Sequence, residues 1–427
     1  MSPRQQSQPT NLDPDRIVIT GLGAVTPLGH GVTDSWENLL AGRSGIDKVT
    51  LFDAAHLPVQ IAGEVKAFDP HRYIPRKEAK RMARGTHLAI AAAQEAVEDA
   101  GLRYPFDAAL AERSGVFLGT TMGGFDKVEE GFKAYMRGLN RVPPFSLAMS
   151  SPNLTTFHLC QQFNIEGYTN TFSTACSAGT VAIIEAAEAL KRGRCDIALA
   201  GGMEANINET TLLGFIVLQA LSTQNETPQR ASRPFEAKRD GFVLAEGCAF
   251  FILERLDQAL ARGARIYAEV LGSGYAQDTY HIIAPEPAAK GATRAMRWAL
   301  QDARLAPEAV DYINAHAAST PLGDASETLA IKNLFGERAY EIPISATKSM
   351  LGHSFGATGA IEALACVKSI ETGLIHPTIN YDTPDPACDL DYVPNQARRH
   401  EVNIAISNSF GLGGQNSCLV LGKYLNS

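Results

Sequence analysis

The chain partly repeats itself, and no other feature narrows its fold as far. Shifted by 177 positions, Cys176-Ser-Ala-Gly-Thr-Val-Ala-Ile-Ile-Glu-Ala overlays His353-Ser-Phe-Gly-Ala-Thr-Gly-Ala-Ile-Glu-Ala, and Lys191 meets Lys368. Two alanine-rich helices can agree by composition alone. Glycines and Ile-Glu-Ala triplets held in one register favour a duplicated fold over that bland explanation. Cys176 and His353 then hold equivalent places in two halves, and a pseudo-twofold axis brings them face to face.

Short β-branched runs alternate with alanine-rich helical stretches along the chain. Arg16-Ile-Val-Ile-Thr20 reads as a first strand closed by Gly21 and Gly23; residues 115–119, 197–200, 249–253, 311–315, 342–346 and 403–407 read as later strands. Leu88, Ala91, Ala92 and Ala96 recur at helical spacing before Gly101. Apolar strands separated by helices indicate an α/β protein with sheets covered on both faces. The expected division is a polar tail, 1–15, and two halves, 16–265 and 266–427.

Composition removes several function classes. A net charge of −8 argues against a nucleic-acid partner, whose binder is basic overall. No run approaches the roughly 20 apolar residues of a transmembrane helix. The first fifteen residues lack the apolar core of a signal peptide. The seven cysteines form no CxxC pair and are odd in number, which excludes a disulfide scaffold and fits a reducing cytoplasm.

Three turns carry residues with chemistry. Thr174-Ala-Cys-Ser-Ala-Gly179 puts Cys176 on a small-residue turn entering a helix, where free N–H groups and the dipole are expected to lower the thiol pKa and hold an oxyanion. The other six cysteines read as small buried hydrophobes. Asn314-Ala-His316 ends a strand, and Lys348-Ser-Met-Leu-Gly-His353 forms another strand-to-helix turn. Either histidine alone would be structural; with Cys176 they make a nucleophile and two proton-handling or donor groups. The glycine-rich Ser409-Phe-Gly-Leu-Gly-Gly-Gln-Asn416 offers further backbone donors or a gate. Gly21-Leu-Gly-Ala-Val-Thr26 lacks the third glycine of a dinucleotide fingerprint. Gly352-His-Ser-Phe-Gly356 matches a hydrolase nucleophile elbow, with Asp382 and His400 following Ser354 in order, but leaves Cys176 and His316 without a role.

On these residues the chain resembles the β-ketoacyl-acyl carrier protein synthases, most of all the type II elongating condensing enzymes of the thiolase superfamily. Val18-Ile-Thr-Gly-Leu-Gly, Thr174-Ala-Cys-Ser-Ala-Gly, Ala231-Ser-Arg-Pro-Phe, Arg239-Asp-Gly-Phe-Val, Asn314-Ala-His, Lys348-Ser-Met-Leu-Gly-His and Asn408-Ser-Phe-Gly carry the resemblance from about Arg16 to Gly422. It implies a thiolase-like, five-layered αβαβα fold of two duplicated halves and a homodimer, with no organic cofactor and no metal. A heterodimer with a chain-length factor is the other assembly such enzymes form. The implied partner is acyl carrier protein, which brings substrate on its phosphopantetheine arm.

By the same resemblance, Cys176 accepts the acyl chain, while His316 and His353 assist malonyl decarboxylation. Lys348 supports them, with Glu362 behind it, and the N–H groups of Cys176 and Leu412 form the oxyanion hole and gate. Met122, Thr320 and Phe410 contact substrate, Met122 limiting the depth of the acyl channel. Arg76, Lys77, Lys80 and Arg81, in a basic run reaching Arg84, would dock the acidic carrier protein. Some positions depart from the family pattern. Ala317 and Ala318 replace glycine and threonine, Ile283 replaces an arm-binding threonine, and Leu412 and Gln415 replace phenylalanine and threonine in the gate. The implied function is decarboxylative condensation in fatty-acid elongation. The alternative is a ketosynthase of a specialised type II polyketide or polyene pathway.

Overall fold

The computed structural model describes residues 15–425, so nearly all of the expected polar tail lies outside the described residues. Ten strands form one mixed sheet: β1 Ile17–Val25, β2 Ser114–Gly119, β3 Asn170–Phe172, β4 Ile197–Glu204, β5 Gly247–Arg255, β6 Ala268–Gln277, β7 Tyr312–Asn314, β8 Ile344–Ser345, β9 Ile404–Gly411 and β10 Gln415–Gly422. Their spatial order is β8-β7-β9-β10-β6-β1-β5-β4-β2-β3. Outward from its centre the sheet repeats one order in both halves: first, fifth, fourth, second and third strand of each. The halves join where β1 pairs antiparallel with β6, Ile17 opposite Val270, Val18 opposite Glu269 and Ile19 opposite Ala268.

Helices α1 (Arg84–Asp99), α2 (Ala178–Lys191), α3 (Lys290–Asp302) and α4 (Thr358–Thr372) complete the layers. α1 covers β1 and β5 on one outer face, and α3 covers β6 and β10 on the other. α2 and α4 cross in the middle against both half-sheets. The sequence suits this: α2 and α4 are buried nearly all round and carry glycine and alanine in their first turns, so two backbones and two sheets can approach. The result is αβαβα.

The strand glycines are not terminators. β1 runs on through Gly21 and Gly23, where a Cβ would stand 2.2 Å from Ala96 O and 1.9 Å from Ala92 O of α1. In the second half, Gly272 and Gly274 of β6 meet Ala303 and Ala295 of α3 in the same way. These glycines admit a helix backbone against the sheet, which is why β6, broken by glycines in sequence, escaped the expected strand list.

The structure also corrects the register of the repeat. The single 3₁₀ turn Ala175–Ser177 and α2 correspond to the turn Phe355–Ala357 and α4, a shift of 180 rather than 177. Ala175 and Phe355 open those turns with φ of 51° and 40°. A Cβ on Gly179 would lie 2.9 Å from Ala360 N, and one on Gly359 2.9 Å from Thr180 N, which is the pseudo-twofold contact itself. Cys176 therefore corresponds to Gly356, not His353. Three residues are close to one helical turn, so both registers bury similar faces and the wrong one looked plausible. His353 and Lys348 belong to a longer strand-to-turn connection peculiar to the second half, residues 346–354.

Candidate active site

Cys176 sits in the turn that feeds α2, with its side chain buried in an apolar cluster that includes Ile207, Leu212, Phe242 and Phe355. Its Sγ lies 3.2 Å from His353 Nε2 and takes a hydrogen bond from the backbone N–H of Leu412. Burial pushes the thiol up to about 11, and the Leu412 N–H and the Lys348 charge only partly oppose it. The expected lowering by the helix terminus does not prevail, because desolvation of an enclosed thiolate outweighs it.

Each histidine is oriented through Nδ1. His353 Nδ1 accepts the backbone N–H of Phe355 at 3.3 Å and faces Thr358 Oγ1 at 3.1 Å. His316 Nδ1 faces Lys348 Nζ at 3.3 Å, and Lys348 also donates to the His316 carbonyl. An ammonium only donates, so both Nδ1 atoms serve as acceptors and each neutral ring carries its proton on Nε2. Burial, helped by Lys348, holds both imidazoles well below the usual histidine range; His353 adds to the effect on His316. The rings stand edge to face, centroids 5.4 Å apart. One neutral N–H donor thus lies against the thiol, and the second stands beside the first. Lys348 is anchored by Glu362 Oε1 at 2.5 Å, and burial raises that carboxyl to about 8.

Two carboxylates that sequence reasoning missed hold the loops. Glu327 accepts the N–H of His316 at 2.9 Å, of Ala317 at 2.7 Å and the Asn408 amide at 3.0 Å. Glu204, at the end of β4, accepts Thr121 N–H at 2.6 Å, Met122 N–H at 3.2 Å and Gly356 N–H at 3.1 Å. It ties the Met122 loop to the turn after His353, and burial lifts its carboxyl to about 7. Neither stands in a motif; for Glu204 an isolated carboxylate among small and apolar residues was the one signal available, and Glu327, between Ser326 and Thr328, offered none.

The remaining expected residues are distributed as follows. Phe410 lies with its ring centroid 5.8 Å from that of His316, and Leu412 is half exposed beside the thiol. Thr320 caps the helix Pro321–Phe335, its Oγ1 accepting Gly323 N–H at 3.2 Å. Ile283 is exposed on a loop whose Ile282 carbonyl accepts Gly413 N–H at 2.9 Å. Arg76, Lys77, Lys80 and Arg81 are exposed on and after the short helix Arg76–Ala79. Arg84 leaves that surface: it pairs at 2.6 Å with buried Glu246, so the basic run ends at Arg81. The hydrolase triad does not assemble, since Asp382 pairs with Arg230, His400 bonds the Asp311 carbonyl, and Ser354 faces Thr358.

Known proteins share this arrangement. The chain matches the β-ketoacyl synthase N-terminal domain over residues 14–259 and the C-terminal domain over 267–382. It is 46% identical to a 3-oxoacyl-[acyl-carrier-protein] synthase 2 of Synechocystis sp., covering 97% of this chain and 99% of that one. It is also 46% identical to the protein of that name from Staphylococcus aureus (strain COL), covering 96% and 98%. Among solved structures, the ishigamide ketosynthase/chain length factor superposes with a TM-score of 0.89 at 36% identity, covering 96% of this chain and 99% of that one. A type II polyketide ketosynthase complex, solved with its acyl-carrier protein and bound to the hexaketide, gives 0.88 at 34%, covering 96% and 100%. With duplicated half-sheets, a buried thiol against one of two adjoining neutral histidines and a match along both halves, this chain belongs to the β-ketoacyl synthase family.

Proposed function

We infer that the protein is a β-ketoacyl-acyl carrier protein synthase, condensing malonyl-carrier protein with an acyl group on Cys176 to give 3-oxoacyl-carrier protein and CO2. The observation that carries this is the Cys176 Sγ at 3.2 Å from His353 Nε2, with both imidazoles held neutral. Sulfur attacks the carrier thioester, the new C–S bond replaces the carrier's, and the thiol proton leaves with the carrier thiolate. In the malonyl group, the bond to the carboxylate then breaks and CO2 departs. The electron pair remains as an enolate, whose oxygen the two Nε2–H groups face as donors. The enolate carbon attacks the Cys176 thioester, and negative charge moves to that carbonyl oxygen, toward the N–H groups of Cys176 and Leu412. Collapse frees the Cys176 thiolate, which takes up one proton. The steps use only groups of this chain and the carrier's arm. Glu362 keeps Lys348 against His316, and Glu327 holds the His316 backbone.

Cys176→Ala removes acylation by any donor, read by intact mass. Cys176→Gln, whose amide imitates an acyl carbonyl, loses condensation and keeps malonyl decarboxylation. Wild type that no acyl donor modifies at Cys176 overturns the assignment.

The relatives at 46% identity favour fatty-acid elongation. The likeness to a type II polyketide ketosynthase and Leu412 in the gate favour a specialised type II polyketide or polyene ketosynthase as the second reading. The chain-length and unsaturation profile of Cys176 acylation separates them. Carrier protein docks on Arg76, Lys77, Lys80 and Arg81. A second copy covers the exposed Phe132, Tyr135, Met136, Leu147 and Phe157, in the stretch of chain that precedes edge strand β3, as exposed apolar patches and open edges demand. Among the described residues no helix is long and apolar enough to cross a membrane.

A further inference from the structure

Beyond the Met122 loop the protein leaves polar atoms with nothing to bond. Asp126 Oδ1, Asn206 Oδ1, Asn208 Nδ2 and Thr211 Oγ1 are buried without a hydrogen-bond partner, and all four fall in two short segments, 126 and 206–211. Asn206 is 1% exposed, Thr211 4% and Asn208 8%. Such atoms are normally paired, so a group of them marks a place where something else supplies the partner.

Two of the four, Asp126 and Asn208, line a cavity of about 230 Å³ together with Leu51, Ile207, Glu129 and Lys133 among others, and Asn206 and Thr211 stand behind that wall, two and three residues along the chain from Asn208. Several rim charges are paired with one another: Lys133 with Glu129 at 2.5 Å and with Glu209 at 2.9 Å, and Glu130 with Lys127 at 2.7 Å. Asn208 is not spent in the same way. Its Oδ1 caps the helix Glu209–Val217 by accepting Thr211 N–H at 2.9 Å, which leaves the amide donor over. Ile207 joins the two regions, because it lines the cavity and also belongs to the apolar cluster around Cys176. Met122 is tied to the same wall, since Glu204 accepts both its N–H and, at 2.5 Å, the Asn206 amide. An acyl chain on Cys176 that runs past Met122 and Ile207 would therefore end among Asn206, Asn208 and Thr211.

We propose that this chamber is a polar end-site of the acyl channel, and that the enzyme selects acyl chains bearing a neutral oxygen function, hydroxyl or keto, in their distal half. The Asn208 amide donates to that oxygen; a hydroxyl also donates to Asn206 Oδ1 or Thr211 Oγ1. A plain alkyl end would bury these groups unanswered, and sites built to bond a substrate oxygen reject the analogue lacking it strongly. The inference deepens the condensing-enzyme reading and rests on it.

The test is the rate of Cys176 acylation, by intact mass, from N-acetylcysteamine thioesters. Donors are butyryl, decanoyl, and decanoyl carrying a hydroxyl or keto group at successive carbons of its distal half. The wild type is expected to prefer one oxygenated decanoyl donor over plain decanoyl by at least about tenfold. Asn208→Asp, which keeps the capping oxygen and loses the amide donor, and Thr211→Val, which keeps the shape, should each bring that ratio towards one. Equal or faster reaction of plain decanoyl in the wild type overturns the polar end-site while butyryl acylation upholds the enzyme. A preference that both variants leave untouched overturns it as well. Absence of acylation by every donor, butyryl included, would instead remove the condensing reading on which the proposal stands.

Discussion

At the scale of single residues, the chemistry depends on keeping groups uncharged. A thiol pushed up to about 11 is almost wholly protonated near neutrality, so its nucleophilicity must arise as the carrier thioester arrives, not before. The rate of Cys176 alkylation by iodoacetamide should therefore climb steadily with pH through 9; a plateau near pH 7 would show that the turn and Leu412 N–H outweigh burial. Met122 tests the channel. An aromatic side chain there overfills apolar space, which costs about 1–3 kcal/mol, equivalent to about 5- to 150-fold. Met122→Phe should lower acylation by long donors by that factor relative to butyryl. An unchanged chain-length profile would make Met122 ordinary packing.

At the scale of elements, the ends of β7 and β8 deliver His316 and Lys348, and a buried histidine joins them. His376 Nδ1 faces the Pro377 carbonyl at 3.0 Å, so Nε2 accepts from Asn314 at 3.2 Å and meets Ser345 at 3.2 Å. Burial holds its pKa at about 4 against an ordinary 6.5. Unfolded, this imidazole takes a proton near 6.5, while in the native protein it does so only near 4, so acidification across that window favours unfolding. Stability is full above pH 6.5 and falls as pH drops towards 4, by about 3 kcal/mol for this group. His376→Gln keeps an acceptor for Asn314 and cannot titrate. Denaturant melts of the variant should show a correspondingly shallower loss between pH 6.5 and 4. An identical pH slope would show that His376 is protonated in the native state.

At the scale of the whole molecule, the proposed dock for the carrier protein is a locally basic surface on an acidic chain. Replacing Arg76, Lys77 and Lys80 by glutamate reverses the field at the short helix, and steering by such a patch is strong at low salt. The variant should raise KM for carrier-bound substrate by about tenfold. Steady-state kinetics with carrier-bound and N-acetylcysteamine substrates side by side tests this; an equal rise for both would remove the docking role. Much of this architecture was legible beforehand. Alternating strands and helices, the duplication, and the turns of Cys176, His316 and His353 are properties of local pattern, because strand, helix and turn preferences act over a few residues. What the chain order could not show was anything set by distant partners. The true register of the repeat follows from the Gly179–Gly359 crossing, where two backbones must touch. Glu327 and Glu204 work only because folding brings unpaired N–H groups to them. The inward turn of Arg84 follows from buried Glu246. The thiol's high pKa likewise comes from enclosure by residues far along the chain, since desolvation belongs to the surroundings and not to the motif.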